Sequence, residues 1–190
     1  MKLRKIIKIF SGLVIILFIA FSTINLNPGQ LKLIFNIYRS YNYTKSVKSE
    51  IISPVKQQHN IEDTYGTPRP GGRWHQGIDI FCEPGTELLA VFNGKIVFRG
   101  EDKLGGKVVY LLGNDNRLYY YAHLSDFSDI KTNINQGEVI GYAGNSGNAI
   151  HTPCHLHFEV MVIKWIVPMV YGNINPYPIL IEAKKITKYQ

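Results

Sequence analysis

Hydrophobic and polar residues alternate along much of the chain after Gly77, and turn-forming residues interrupt this alternation at short intervals. Asn93-Gly94 and the stretch from Gly113 to Asn116 each separate two apolar runs, as a tight hairpin would. The pattern predicts a mainly β fold, an antiparallel β-sandwich or open barrel. Its predicted strands are Glu87 to Phe92, Lys95 to Arg99, Lys107 to Leu112, Arg117 to His123, Val139 to Ala143 and His155 to Ile163.

A continuous apolar run precedes this β region. Residues Ile9 to Ile24 carry no charge and follow a basic amino terminus. With its flanks the run approaches the roughly 17–25 residues that span a bilayer, and the basic end should stay cytoplasmic. We expect an uncleaved transmembrane signal anchor. Cleavage after Ser22, followed by secretion, is the alternative.

A short segment joins the apolar run to the β region. Apolar residues at helical spacing between Leu31 and Tyr43 predict a short helical stalk, and a segment that packs on the domain or lacks fixed structure is the alternative. We therefore divide the chain into an anchor (residues 1–27), a stalk and linker (28–52), a folded domain (53–180) and a basic tail (181–190).

Composition and charge exclude few functions. Hydrophobic residues make up 45% of the 190 residues and charged residues 18%, which is ordinary for one globular domain. The formal charge of +7 could suit an acidic polymer, an anionic membrane or nucleic acid, but several basic residues lie at the two ends. Charge alone does not indicate nucleic-acid binding, so we expect no nucleic-acid partner. The chain contains no glycine-rich phosphate loop, no His-Glu-x-x-His and no Gly-x-Ser-x-Gly motif.

Histidines and acidic residues share the polar faces of two predicted strands. In the stretch from His75 to Ile80, an extended backbone places His75 and Asp79 on one face, with Gly77 leaving room between them. Ile78 and Ile80 then face the core. The spacing alone is common, so this motif gains weight only from the histidines elsewhere.

The second polar face carries His155, His157 and Glu159, opposite three apolar residues. Side chains two apart on a strand are roughly 6.5 Å apart along its axis, whereas a zinc–nitrogen bond measures about 2.0–2.1 Å. One histidine of the pair can therefore bind a metal while the other reaches water or substrate. His123, which ends a tyrosine-rich strand, is the fourth histidine of this set.

These motifs together resemble the lysostaphin-type, LytM-like family of peptidoglycan endopeptidases, from about Ser53 to Leu180. The resemblance implies a zinc ion held by His75, Asp79 and His157. It is carried by His75-Gln76-Gly77-Ile78-Asp79-Ile80, Pro84-Gly85-Thr86, Ala90, Asn93-Gly94, Tyr121-Ala122-His123-Leu124, Gly137, Ile140-Gly141, Gly144-Asn145-Ser146-Gly147 and His155-Leu156-His157-Phe158-Glu159.

The resemblance also places His123 and His155 beside the catalytic water and the substrate carbonyl. Two histidines and one carboxylate leave the fourth tetrahedral position open, as catalytic zinc requires. We predict His155 as the general base and His123 as the oxyanion stabiliser, and the two roles could be exchanged. Glu159 either orients His157 or forms a surface salt bridge.

The expected function is zinc-dependent hydrolysis of peptide bonds in bacterial peptidoglycan, by a membrane-anchored enzyme whose catalytic domain lies outside the cytoplasm. A glycine bridge and a meso-diaminopimelate cross-link are both open as the bond cleaved. One alternative is a non-catalytic module that binds the wall or activates another hydrolase. The other is a zinc peptidase that acts on a protein.

The two cysteines suggest a further contact. If the strands of Asp79 and His157 are antiparallel neighbours with those residues opposed, Cys82 lies opposite Cys154. Such a pair could form a disulfide in an oxidising compartment if its Cα atoms lie about 4.4–6.8 Å apart. Two buried free thiols are the alternative.

Overall fold

The structure is a computed structural model that describes residues 51–56, 60–129, 131–164 and 170–187. These residues form eleven β-strands, one short 3-10 helix at Gly147–Ala149 and one α-helix, α1, at Tyr177–Thr187. The strands are β1 (Pro68–Arg69), β2 (Arg73–Trp74), β3 (Ile78–Phe81), β4 (Glu87–Leu89), β5 (Gly94–Asp102), β6 (Gly106–Gly113), β7 (Arg117–Phe127), β8 (Asn133–Ile134), β9 (Val139–Ala143), β10 (His155–Lys164) and β11 (Val170–Ile174).

The strands build one large antiparallel sheet and a separate two-stranded ribbon. In the large sheet the order is β11-β10-β7-β6-β5-β8, while β3 pairs with β10 and β9 pairs with both β4 and β7. The ribbon consists of β1 and β2. The predicted mainly β, antiparallel architecture is confirmed.

Both faces of the central strands are buried. On β7, Tyr119 and Tyr121 belong to the larger hydrophobic core, whereas Leu118, Tyr120 and Ala122 belong to a smaller cluster on the opposite face. This division follows from the two-residue period of a strand. The polar side chains of β10 lie on the face of the smaller cluster, since Leu156, Phe158 and Val160 enter the larger core.

The hairpin predicted at Asn93-Gly94 is wrong. β4 ends at Leu89 and pairs with β9, whereas β5 begins at Gly94 and pairs with β6 and β8. The glycine serves a close approach between strands: a Cβ atom at Gly94 would collide with the carbonyl oxygen of Leu112. The hairpin predicted after Gly113 is confirmed, because β6 and β7 are antiparallel neighbours.

The register predicted around the two cysteines is confirmed, but the disulfide is not. Asp79 lies opposite His157, and the Cys82 amide donates a hydrogen bond to the Cys154 carbonyl over 3.3 Å. Both cysteines are free thiols that pack against the larger core. Burial, followed by the neighbouring Cys154, raises the pKa of the Cys82 thiol to about 12, so the thiolate needed for disulfide chemistry is scarce.

The predicted anchor and the predicted helical stalk lie outside the described residues. Among the residues that the structure describes, no helix is long and apolar enough to cross a membrane. The proposed division of the chain at residues 27, 52 and 180 stays a prediction.

Candidate metal centre

Two neighbouring strands bring the three predicted metal ligands together. β3 carries Asp79 directly opposite His157 on β10, and His75 lies three residues before β3. Gly77 lets the two strands approach, because a Cβ atom there would collide with the carbonyl oxygen of Phe158. The result is a compact group of two imidazoles and one carboxylate that could hold a metal ion.

Three atoms of this group form a nearly regular triangle. His75 Nε2 lies 2.9 Å from His157 Nδ1 and 3.1 Å from Asp79 Oδ1, and the last two atoms are 3.0 Å apart. Ligands about 2.0–2.1 Å from a tetrahedral zinc ion are about 3.3 Å from one another. The triangle therefore matches a zinc site to within a few tenths of an ångström.

Hydrogen bonds behind the triangle turn lone pairs toward its centre. His75 Nδ1 lies 2.7 Å from the Thr64 carbonyl oxygen, and His157 Nε2 lies 2.9 Å from Glu159 Oε1. His157 Nε2 carries the proton, since a carboxylate can only accept. His75 Nδ1 is shared between the Thr64 carbonyl, which accepts, and Arg69 Nη2, which lies 2.8 Å away and can only donate. With the two inward nitrogens unprotonated, two nitrogen lone pairs and a carboxylate oxygen face one point, so the residues fit a metal ion.

The neighbouring groups favour the charged forms of His157 and Asp79. Burial alone would lower the pKa of His157, but its hydrogen bonds to Asp79 and Glu159 outweigh burial and raise that pKa to about 9. Burial would likewise raise the pKa of Asp79, yet hydrogen bonds from His157 and His75 hold it well below its usual range. Asp79 is therefore a carboxylate at neutral pH.

Three residues that the sequence analysis did not single out support these ligands. Arg69 donates to Asp79 Oδ2, which leaves Oδ1 facing the triangle. Thr64 accepts from His75 through its carbonyl and from the Asp79 amide through its hydroxyl, the latter over 3.1 Å. Asn173 donates to Glu159 Oε2 over 2.6 Å. Glu159 therefore orients His157 and does not form a surface salt bridge.

His123 and His155 lie beside the triangle with their rings 5.0 Å apart. His155 Nε2 is 3.9 Å from Asp79 Oδ1. The Nδ1 atoms of both rings donate to backbone carbonyls, of Ser146 over 2.8 Å for His123 and of Pro153 over 2.9 Å for His155. In the neutral state each ring therefore keeps an unprotonated Nε2. Burial is the main reason that the pKa of His123 falls to about 4.

An open cleft of about 850 Å³ exposes this group to solvent. The ribbon β1–β2 forms one wall, with the 66% exposed side chain of Trp74. Leu104 and the loop around Asn148 and Thr152 line the other wall. The structure thus brings all five predicted site residues to the floor of one cleft, where an extended peptide could reach them.

The fold and this cleft define a class of protein: a β-domain with a candidate metal site and two further imidazoles within reach of a ligand. The model of peptidase family M23 matches residues 73–169, and the chain belongs to this family. The predicted resemblance to lysostaphin-type, LytM-like peptidases is confirmed.

Two curated relatives are peptidases by name. The chain is 34% identical over 149 residues to the DD-carboxypeptidase/endopeptidase Mpg of Neisseria meningitidis, covering 78% of this chain and 31% of that protein. It is 28% identical over 140 residues to the L-Ala–D-Glu endopeptidase of Bacillus subtilis, covering 68% of this chain and 43% of that protein. The chain thus spans less than half the length of either relative.

A solved structure supports the fold. LytM from Ruminococcus gnavus superposes with a TM-score of 0.63 at 24% sequence identity, covering 72% of this chain and 61% of that one. The mainly antiparallel β architecture is therefore that of LytM-like proteins.

Proposed function

We propose that this protein is a zinc-dependent endopeptidase that hydrolyses peptide bonds in bacterial peptidoglycan. The observation that carries the proposal is the triangle of His75 Nε2, Asp79 Oδ1 and His157 Nδ1, whose three lone pairs face one point in an open cleft. Membership of a peptidase family and two relatives named for bonds of the cell-wall stem peptide support the substrate class.

In this proposal the triangle holds zinc and leaves one tetrahedral position for water or substrate. When bound, the ion polarises the scissile carbonyl and lowers the pKa of a water molecule to about 7. Arg69 engages the second oxygen of Asp79, so this carboxylate contributes a single ligand atom. Glu159 fixes the ring of His157 with its Nδ1 toward the ion.

His123 and His155 handle the protons of the reaction. We assign His155 as the general base, because its Nε2 is unprotonated in the neutral ring and lies near the triangle. It takes a proton from the attacking water and returns it to the leaving amine. His123 starts the reaction neutral, as its pKa of about 4 requires. To stabilise the oxyanion it takes up a proton from solvent at Nε2 and gives it back when the tetrahedral intermediate collapses. Both rings present an unprotonated Nε2, so the two roles can be exchanged.

The location that suits this activity is the bacterial cell envelope. We propose that residues 1–27 anchor the chain in the cytoplasmic membrane with the catalytic domain outside, the alternative being a secreted form. The uncharged run of Ile9 to Ile24 behind a basic amino terminus supports this location. Membrane fractionation and sequencing of the mature amino terminus distinguish the anchored form from the secreted form.

The test of function combines metal content with product analysis. The purified protein should bind about one zinc ion and release defined muropeptides from peptidoglycan. His75→Ala, Asp79→Ala and His157→Ala should each lower hydrolysis by more than about a hundredfold, since zinc supplies several kcal/mol and each 1.36 kcal/mol is about tenfold in rate. His151→Ala, which removes an exposed histidine outside the triangle, is the matched control.

Two outcomes would contradict the proposal. Zinc and wall binding without hydrolysis, together with activation of a partner amidase, would indicate a regulatory module. Cleavage of a protein panel but of no muropeptide, read by mass spectrometry, would indicate a peptidase with a protein substrate.

A further inference from the structure

Two arginines lie directly opposite each other on the ribbon that walls the cleft. β1 and β2 pair Arg69 with Arg73, and both side chains line the cleft. Like charges directly opposite each other on an antiparallel pair are destabilising. A two-stranded ribbon of this length is weak by itself, so it gains from an anion that bridges the two guanidinium groups.

The protein itself supplies only part of the negative charge that would bridge the two arginines. Arg69 Nη2 donates to Asp79 and also lies 2.8 Å from His75 Nδ1, while the Nε atom of Arg69 is buried and has no partner within the described part of the chain. Arg73 is exposed, and its one recorded hydrogen bond runs from Nε to the Pro70 carbonyl over 3.3 Å. Within the residues described, no carboxylate lies at ion-pair distance from Arg73.

The acidic residues of the cleft are already engaged. Asp79 belongs to the triangle, and Glu159 accepts from His157 and Asn173. Neither of them forms an ion pair with Arg73. A negative charge on a ligand would therefore find these donors free, and it would lie next to the metal site, because Arg69 touches Asp79 itself.

We propose that Arg73, together with the Nε–H of Arg69, binds a free carboxylate on a substrate residue next to the scissile bond. The inference rests on the proposed function and narrows its substrates to peptides that are anionic at this residue. The bond named for one relative agrees, since the D-glutamate of an L-Ala–D-Glu bond carries a carboxylate beside that bond. Trp74 adjoins Arg73 and offers an exposed flat surface for the same residue.

The test compares matched peptides that differ only in this carboxylate. Zinc-loaded full-length protein is given a stem peptide with the free acid and the same peptide with a carboxamide. One pair carries a C-terminal carboxylate and a second pair carries the carboxylate of an internal residue. We expect the acid of at least one pair to be cleaved with a kcat/KM about 10–100-fold above its amide, mainly through KM. The pair that shows the preference identifies the source of the carboxylate.

Arg73→Gln should abolish this preference by lowering kcat/KM for the acid far more than for the amide. Arg73→Lys should restore part of it, because a lysine keeps the charge but loses the bidentate geometry. The matched control is Arg99→Gln, which removes an exposed arginine that does not line the cleft. Arg69 is unsuitable as a test, because its contact with Asp79 would perturb the metal site as well.

A binding measurement separates this inference from the proposed function. Intrinsic tryptophan fluorescence, to which Trp74 and Trp165 both contribute, or calorimetry follows binding of each acid and amide peptide to the zinc-loaded protein, whether or not the peptide is cleaved. Acid-selective binding that Arg73→Gln removes would uphold the carboxylate site even if no hydrolysis occurs. Equal binding and equal cleavage of acid and amide, or an equal loss for both in Arg73→Gln, would overturn it.

Discussion

His123 reaches the site from a backbone conformation that is rare for residues with a side chain. Its φ angle is +65°, within a strand, while its amide donates to the Gly105 carbonyl over 2.8 Å. A non-glycine residue in this region costs roughly 1–2 kcal/mol. A register shift between β6 and β7 accompanies this conformation, since Tyr121 lies opposite Val109 whereas Leu124 lies opposite Lys107. The strain therefore accompanies the placement of the imidazole beside the candidate metal.

The strain at His123 predicts an inverted order of stability between two variants. His123→Gly should be more stable than His123→Ala by about 1 kcal/mol, because glycine adopts a positive φ without penalty. His155 is not among the positive-φ residues described. There the alanine variant should be more stable than the glycine variant by about 0.5–1 kcal/mol. Urea denaturation of the four variants measures both differences. The same order at both positions would contradict this account.

Glu159 should contribute to metal affinity although it does not face the triangle. Its hydrogen bond fixes the ring of His157, and partners of this kind are typically worth about 10–100-fold in metal affinity or activity. We expect Glu159→Ala to weaken zinc binding by this factor, measured by competition with a chromophoric chelator. Glu138→Ala, at an exposed position outside the cleft, is the control and should leave the affinity unchanged.

Strand periodicity explains which site residues could be predicted from the sequence. His155, His157 and Glu159 share a face because β10 alternates strictly, and one assumed pairing of Asp79 with His157 was enough to place the cysteines. Thr64, Arg69 and Asn173 carry no such signal. Thr64 acts through its backbone carbonyl group, Arg69 lies on a ribbon of two-residue strands, and Asn173 lies on a neighbouring strand. None of these features leaves a pattern in the sequence.

At the scale of elements, β10 connects the site to the rest of the sheet. It pairs with β3 and β11 along one side and with β7 along the other. The ligand His157 thus stands between Asp79 and Ala122, with backbone hydrogen bonds on both sides. The position of the site is therefore fixed by the sheet, and the cleft walls only limit access to it.

The wrong hairpin at Asn93-Gly94 shows where local signals fail. The turn signal was strong, yet long-range contacts decide this segment: the Tyr121 hydroxyl accepts a hydrogen bond from the Val91 amide, and β5 pairs with β8. Such partners lie tens of residues away, so no short window could reveal them. In five of the six predicted strands no long-range contact competes with the local signal, and these strands occur close to their predicted positions.

Substitution of Gly94 tests whether the close approach of neighbouring strands requires a glycine at this position. Gly94→Ala should destabilise the protein by about 3 kcal/mol, because the new methyl group meets the Leu112 backbone and overpacking of this kind costs typically about 1–3 kcal/mol. Gly137→Ala adds a methyl group in a more open place and should cost about 1 kcal/mol through its positive φ alone. Urea unfolding measures both. Equal losses would show that the backbone around Leu112 shifts to accept the methyl group, so that the close approach does not decide the cost at Gly94.

At the scale of the whole molecule, metal binding should stabilise the folded state. A ligand at a hundred times its Kd that binds only the native protein adds about 2.7 kcal/mol. For a protein of this size that corresponds to a rise in Tm of roughly 5–10 °C. Calorimetry with zinc and with chelator measures the rise, which His157→Ala should abolish. A zinc-dependent shift that survives this substitution would place the metal elsewhere.

The pairing of β3 with β10 has a consequence for how the ion arrives. Because backbone hydrogen bonds set the spacing of Asp79 and His157, the ligands are in position before any metal is present. Little conformational entropy is then lost on loading, and the empty protein does not have to refold around its cofactor. If the triangle binds zinc as proposed, removal and return of the ion should therefore be reversible without unfolding.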